Sequence, residues 1–364
     1  MLNPKVKRNI KRIIPFGIIW LCTSLVFLWT EYAVIGTPSH TPESAISISF
    51  EIIVFASITT FFIGALVGLI ELVFLNRLFI KKSFRSKIVY KFLFYALVMY
   101  VIVLIAYLIA ASMELDVSIS DSKVWDKYKL FFFSITHIST VVQLGFSLLL
   151  SLLYAEISEH LGQNILRNFF TGKYHKPISE ERIFMFTDMK SSTTIAEELG
   201  HDTYFKLLRD YYHDMSDAII KSEGEVYQYI GDEVVISWPL NKTSKSASCI
   251  NCFFNMKSDL NKRKDWYMKT YGFFPDFKAA LHYGEVTSGE IGALKKEIFF
   301  VGDVLNTTAR IQDLCNAYHT DLLLSEQLAS FLELDKTYVL KHLGTSSFRG
   351  KQERLALVTL EERA

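Results

Sequence analysis

The stretch Phe186-Thr-Asp-Met-Lys-Ser-Ser-Thr193 follows the apolar run Ile183-Phe-Met-Phe186 and puts Asp188 where a strand gives out. A second stretch, Tyr229-Ile-Gly-Asp-Glu-Val234, puts Asp232 in a Gly-Asp turn between the strand-like runs Glu225–Ile230 and Glu233–Trp238. Two carboxylates on the rigid ends of neighbouring strands suit a pair of hard divalent cations, because Mg²⁺ takes oxygen ligands and partners with substrate phosphates. Between strand and helix lies the loop Met189–Thr193. Its backbone N–H groups, at the positive helix end, form a cradle for phosphate, and Ser191 and Ser192 suit capping there. A third stretch, Val301-Gly-Asp-Val-Leu-Asn-Thr-Thr-Ala-Arg-Ile311, puts Asn306 and Arg310 four residues apart. That spacing sets both on one helix face.

Around these stretches, from residue 181 onward, strand-like and helical patterns alternate. Ile183–Thr187 reads as a strand, and Ser191–Leu199 as a helix stopped by Gly200. Tyr204–Lys221 reads as a longer helix, with Leu208, Tyr211, Tyr212, Met215 and Ile219 at helical spacing and Gly224 closing it. A hairpin around Asp232 follows, then a helix through about 244–264, strands Phe277–Tyr283 and Glu285–Gly289, the Asn306/Arg310 helix, and short strands to the end. Helices laid over an antiparallel sheet predict an α+β, ferredoxin-like fold for residues 181–364.

The first 154 residues have a different character. Half of the 364-residue chain is apolar, and the excess is concentrated here. The net charge of +1 argues against a nucleic-acid partner, which demands a basic stripe. Four hydrophobic segments, at about 13–33, 49–75, 92–113 and 130–154, each approach or exceed the roughly 20 residues that cross a lipid bilayer. Lys5, Lys7, Arg8, Lys11 and Arg12 precede the first, and Arg77, Lys81, Lys82, Arg85 and Lys87 separate the second from the third. The stretch at about 34–48 carries no Lys or Arg, so the positive-inside rule puts both termini in the cytoplasm of a multi-pass inner-membrane protein. His137 and Glu71 are ionisable groups in this region. We expect a bundle-facing hydrogen bond for the first and snorkelling to the headgroups for the second.

Residues 155–180 continue helically from the last span as a linker, with Ile157, Leu161, Ile165 and Leu166 as an apolar stripe before Gly172 and Pro177 break it. Either it pairs with its twin in a dimer or it rests on its own domain. Cys22, Cys249, Cys252 and Cys315 form no framework. The Cys249/Cys252 pair reads as reduced thiols buried on a helix, and no zinc site is visible.

In order, the two aspartate motifs and the Asn-x-x-x-Arg helix resemble the class III nucleotide cyclases, over roughly 181–360. The resemblance implies two Mg²⁺ (or Mn²⁺) ions per active site, held by Asp188 and Asp232 with the Met189 carbonyl as a further ligand. It implies triphosphate binding by the Lys190, Ser191, Ser192 and Thr193 loop. One ion would activate the ribose 3′-hydroxyl and the other would neutralise pyrophosphate. Asn306 would orient the ribose and Arg310 would meet charge on the transferring phosphoryl group. In the family these two act from the opposite subunit, which implies a head-to-tail homodimer with two composite sites. In Phe348-Arg-Gly-Lys351, Arg349 and Lys351 are candidates for a basic triphosphate ligand.

Base choice departs from the family pattern. Adenine-specific members usually place lysine three residues before the second motif's Gly, with aspartate or threonine three before the third's, and guanine-specific members tend to carry glutamate at the first place. Here Gln228 and Phe299 stand there. A glutamine amide can satisfy the Watson–Crick edge of adenine or, flipped, of guanine. ATP is favoured on family prevalence. Guanylate or other nucleotide cyclisation, and a silent membrane receptor with a cyclase-like domain, are the alternatives, and a membrane ligand, if one exists, is unnamed. A diguanylate cyclase is disfavoured because its Gly-Gly-Asp/Glu-Glu-Phe turn is absent.

Overall fold

In a computed structural model, the chain is described over residues 4–35, 45–46, 49–75, 84–161, 168, 171–240, 247–294, 296–334, 337–347 and 354–363. It divides into two compact units, Val6–Leu166 and a second running from Arg167 to the end.

The first unit is helical. It comprises α1 (Pro4–Ile35), α2 (Phe50–Leu69) passing into a π-helical turn (Ile70–Leu75), α3 (Phe84–Leu115), α4 (Ser122–Phe132) and α5 (Ile135–Leu161). Four stretches are long and apolar enough to cross a membrane: Val6–Thr30, Phe50–Leu75, Leu93–Leu115 and Ile135–Glu159. The last begins later than the expected 130, because the chain breaks at Phe133-Ser134. There the Ser134 amide donates to the Phe131 carbonyl at 2.9 Å. The preceding residues form α4 as a separate helix, capped by Asp121, whose Oδ1 accepts from the Lys123 amide at 2.9 Å.

Close approach and a few polar bonds organise this bundle. A Cβ on Gly64 would lie 2.6 Å from the Phe16 carbonyl oxygen and 2.7 Å from Trp20 Cβ, so α1 and α2 pack backbone to backbone. Trp20 Nε1 donates to Ser151 Oγ at 2.9 Å, and the Thr23 and Ser147 hydroxyls are 2.7 Å apart, tying α1 to α5. The expectation that Glu71 snorkels is overturned. It is buried, ion-paired with Lys91, and accepts from the Tyr95 hydroxyl at 2.9 Å. The two α3 partners supply what water would otherwise provide. His137 likewise makes no bundle hydrogen bond through Nδ1, and its ring instead packs 5.1 Å from those of Phe131 and Phe132.

The linker stripe is described in part. Ile157 lies in α5 and is exposed, whereas the side chain of Leu161 and all of Ile165 and Leu166 fall outside the described residues. Gly172 takes a positive φ of 65°, and β1 starts directly after Pro177.

The second unit is a mixed sheet with helices. Its elements are β1 (Ile178–Met189), α6 (Ser192–Leu199), α7 (His201–Lys221), β2 (Glu225–Ile230), β3 (Glu233–Pro239), α8 (Ser248–Asn261), α9 (Lys264–Tyr271), β4 (Phe277–Ile291), β5 (Glu297–Val301), α10 (Asp303–Asp313), β6 (Leu322–Ser325), α11 (Glu326–Phe331), β7 (Tyr338–Ser347) and β8 (Arg354–Glu362). Strand order is β2-β3-β1-β4-β6-β8-β7, with β5 paired to the far half of β4. All pairings are antiparallel except β4 with β6. The two strands expected within 277–289 are one continuous β4, and the helix expected through 264 ends at Asn261 and gives way to α9.

Alternation along β1 explains the two cores. Ile183 and Met185 face one side, packed with Leu207, Tyr211 and Met215 of α7 and with α8. Phe184 and Phe186 face the other, against Val235, Val286, Phe300 and Val304 at the start of α10. Each such large apolar side chain, taken from water, stabilises by about 1.5–3 kcal/mol. Cys249 and Cys252 lie in the first core as free, buried thiols, which burial pushes up to about 12.

Candidate active site

β1 is the central strand between β3 and β4, and it delivers Asp188 at its carboxyl end. Ile230 pairs with Glu233, leaving Gly231 and Asp232 as a two-residue hairpin loop. Gly231 has φ 63° and Asp232 stays out of the left-handed region. Glycine first with a positive φ is the mark of a type II′ turn. The Met189 amide donates to Asp232 Oδ2 at 3.2 Å, which draws the turn against the end of β1.

The acid couple is half-buried. Burial, and then the Asp232 carboxylate, push Asp188 above its ordinary value, while Lys278 acts in the opposite sense. Lys278 is the cross-strand partner of Asp188 on β4, with Nζ 3.2 Å from Asp188 Oδ2. Sequence reasoning missed it. The available signal was a single charge at the head of the apolar run Phe277-Lys-Ala-Ala-Leu281. Glu233 adds to the negative field. Burial, followed by the charges of Asp188, Asp232 and Asp313, pushes it up to about 7.

The couple fits hard cations. Its donors are oxygens in a partly desolvated pocket whose negative charge a single ammonium offsets only in part. Among the described residues no cluster of three or more His, Cys, Asp or Glu surrounds a common point. Mg²⁺ typically takes one or two carboxylates and completes its shell with water and phosphate oxygens, so two carboxylates suffice.

The loop that follows differs from expectation at Lys190 and Ser191. Met189 is 2% exposed and its side chain belongs to the core, leaving its backbone to the site. The Lys190 ammonium is held 2.7 Å from Asp276 Oδ2 and is also paired with Asp321, and its amide donates to the Asp276 carbonyl at 2.8 Å. Burial works against that charge, but the two aspartates outweigh it and hold Lys190 above its ordinary value. Its side chain therefore anchors the loop to β4 and β6 rather than reaching phosphate. Ser191 makes no side-chain cap, because it adopts the left-handed conformation, φ 56° and ψ 29°. A left-handed residue at this point turns successive N–H groups into a concave nest that favours anions. Ser192 and Thr193 open α6. Ser192 hydrogen-bonds Tyr204, whose hydroxyl is pushed up to about 12 by burial and then by Asp232, with the Ser192 bond acting the other way.

The remaining predicted residues sit elsewhere in the unit. A β-bulge at Tyr227 interrupts β2, and Gln228 emerges exposed just after it. Phe299 on β5 is 45% exposed. Tyr227 links the two, with its ring 6.5 Å from Phe299 and its hydroxyl accepting from the Phe300 amide at 3.4 Å. On α10, Asn306 is exposed and Arg310 half-buried, while Val304, Thr307, Thr308, Ile311 and Gln312 bury the opposite face. Arg349 and Lys351 lie outside the described residues.

Residues 175–361 match the family described as the adenylate and guanylate cyclase catalytic domain. The chain belongs to that family, a class III nucleotide cyclase fold. It is 33% identical over 204 residues to adenylate cyclase 2 of Rhizobium meliloti (strain 1021), covering 56% of each chain. It is 24% identical over 179 residues to an adenylate cyclase of Anabaena cylindrica, covering 48% of this chain and 35% of that one. The match thus spans little more than half the length of the first relative. Among solved structures, a bacterial light-regulated adenylyl cyclase superposes with a TM-score of 0.51 at 21% identity, over 62% of this chain and 64% of that one, which supports the fold.

Proposed function

We propose that the chain is a membrane-anchored adenylate cyclase, converting ATP to 3′,5′-cyclic AMP and pyrophosphate at two composite sites of a head-to-tail homodimer. The observation that carries this is the convergence of Asp188 and Asp232 at adjoining strand ends, with the Met189 amide bridging to Asp232. Two divalent cations bound there would supply the Lewis acidity that favours the 3′-alkoxide and screens the leaving pyrophosphate.

The protein's own groups do the rest. The 3′-oxygen forms its bond to the α-phosphorus as the bond to the bridging oxygen breaks. Pyrophosphate leaves with that electron pair, and the hydroxyl proton passes to solvent. The nest at Ser191–Thr193 faces the triphosphate with N–H groups. Lys278, released from Asp188 when cations take the carboxylate, would be free to pair with a phosphate oxygen. Arg310 of the second copy meets the charge that develops on the transferring group, and its Asn306 orients the ribose. Gln228 and Phe299 of that same copy bound the base, with Arg349 and Lys351 as further candidates for the triphosphate. The four membrane-length helices anchor the assembly with both termini and the catalytic unit in the cytoplasm, where nucleoside triphosphate is found.

Purified protein with Mn²⁺ and each of the four nucleoside triphosphates tests the reaction: cyclic AMP from ATP is expected, and silence with all four refutes it. Asp232→Ala and Arg310→Ala should each be inactive alone. Mixed in equal amounts they should recover about a quarter of wild-type activity, since half of the dimers are mixed and each retains one intact site of two. No recovery despite mixed dimers would refute the composite site.

A further inference from the structure

We propose that Tyr212 is a positioning residue for the acid couple: its hydroxyl holds the central peptide of the Gly231–Asp232 turn, and so sets how tightly the site binds divalent cations. The inference rests on reading Asp232 as a metal carboxylate.

The geometry is direct. Tyr212 Oη donates to the Gly231 carbonyl oxygen at 2.5 Å. That carbonyl belongs to the peptide joining the two central residues of the hairpin loop. Type I′ and type II′ turns differ by a flip of this very peptide, and a type I′ turn needs positive φ at both positions. Asp232 has a side chain and stays out of the left-handed region, while Gly231 accepts φ 63°. A donor fixed on the Gly231 oxygen therefore selects the turn in which Asp232 points its carboxylate back to the end of β1. Asp232 Oδ2 is there 3.2 Å from the Met189 amide. The chain of bonds thus runs from Tyr212 through the Gly231 carbonyl and the Asp232 carboxylate to the residue after Asp188.

The donor itself is held firmly. Tyr212 lies on α7 beside Tyr211, ring centroids 5.4 Å apart, and α7 is anchored by Leu207, Tyr211 and Met215 in the core. The Tyr212 ring also packs 4.6 Å from Tyr229, the residue two before the turn. The ring braces the end of β2 and the hydroxyl fixes the peptide beyond it. Without that hydroxyl the hairpin could still form, but the Asp232 carboxylate would sample orientations that do not share ions with Asp188.

Tyr212→Phe removes the hydroxyl and leaves the ring. The full chain in detergent micelles is titrated with Mn²⁺, and free ion is read from its electron paramagnetic resonance amplitude. Tyr212→Phe should weaken Mn²⁺ binding by about three- to tenfold, the range a single hydrogen bond supports. Tyr271→Phe is the matched control. It loses a tyrosine bond of 2.5 Å to Asp210, on the same helix but away from the turn. It should lower the melting temperature about as much as Tyr212→Phe while leaving Mn²⁺ affinity at the wild-type value. Wild-type affinity in Tyr212→Phe, or equal weakening in Tyr271→Phe, overturns the proposal. Asp232→Ala should abolish this binding, and wild-type affinity there overturns the positioning role together with the metal reading. If wild-type protein binds Mn²⁺ through Asp232 yet cyclises no triphosphate, the proposed reaction falls and the role of Tyr212 stands.

Discussion

Arg182 offers a test of how the catalytic unit is held together. It is 1% exposed in the middle of β1. Nη1 donates to Glu180 Oε1 at 3.2 Å and Nη2 to Ser237 Oγ at 3.0 Å, Nη2 also pairs with Glu225, and the guanidinium carbon lies 4.8 Å over the Phe300 ring. Arg182→Met fills much of the volume but removes one cation from each of two carboxylates, of which Glu180 keeps Lys173 at 3.4 Å. Their side chains are 17% and 32% exposed, so water relieves part of the cost and the loss belongs at the low end of the buried-pair range, about 3 kcal/mol. For a unit of this size each kcal/mol moves the melting temperature by about 2–4 °C, giving a fall of about 6–12 °C. Unfolding can be followed with a thiol-reactive dye, because Cys249, Cys252 and Cys315 are buried in this unit and only Cys22 is exposed. A Cys22→Ser background reports this unit alone. Because Glu225 opens the strand that carries Gln228, and Phe300 backs Phe299, the variant should also raise the KM for nucleotide more than it lowers kcat. A melting temperature within 2 °C of wild type would refute the view that this pair organises the sheet.

Two further outcomes follow from charged networks. Burial works against the Asp276 carboxylate, but Lys190 and Lys257 outweigh it and hold the group below its ordinary value. Its contribution is therefore present above the unfolded carboxylate pKa of about 4 and is lost as pH falls below it, so Lys257→Met should flatten the loss of stability measured by urea unfolding between about pH 5 and pH 2.5. An unchanged slope would show that the network carries no stability. In the membrane-length helices, Glu71→Gln leaves the Lys91 ammonium without its carboxylate and should cost about 3 kcal/mol, whereas the double variant Glu71→Leu/Lys91→Met should recover most of it. Additive losses in detergent melting would contradict a coupled pair.

The acid couple could be read from sequence because each aspartate ends an apolar run, and strand ends are rigid wherever the strand itself is buried. The sheet order was not written in the same way. Lys190 stands in the motif, but its partners Asp276 and Asp321 come from far along the chain, and only the folded register turns it from a phosphate candidate into an anchor. Lys278 was visible as an isolated charge, yet its value comes from its pairing opposite Asp188. α9 escaped notice because tertiary bonds define it: Tyr267 donates to Asp214 at 2.7 Å, and Arg263 donates to the same carboxylate at 2.6 Å. Glu71 shows the same failing in the helical unit, where hydropathy says nothing of a partner twenty residues away.

The candidate site has two unequal halves, and the inequality bears on the proposed homodimer. The acidic half is over-determined within one chain: Tyr212 holds the turn, the Met189 amide holds Asp232, Lys278 holds Asp188, and Lys190 holds the loop. Gln228, Phe299 and Asn306 stand exposed on β2, β5 and α10. Tyr229, Ile230, Ile291, Phe299 and Val301 are all about half exposed. Exposed apolar side chains in number suit an interaction surface, and a two-fold contact would bring each onto its equivalent. Phe299 and Val301 lie on the same short strand, immediately before the helix that carries Asn306 and Arg310. A second copy that paired through β5 would therefore bring those residues with it. In the proposed homodimer, pairing and completion of the active site are one event, and a chain that failed to pair would keep its acid couple and lose the proposed reaction.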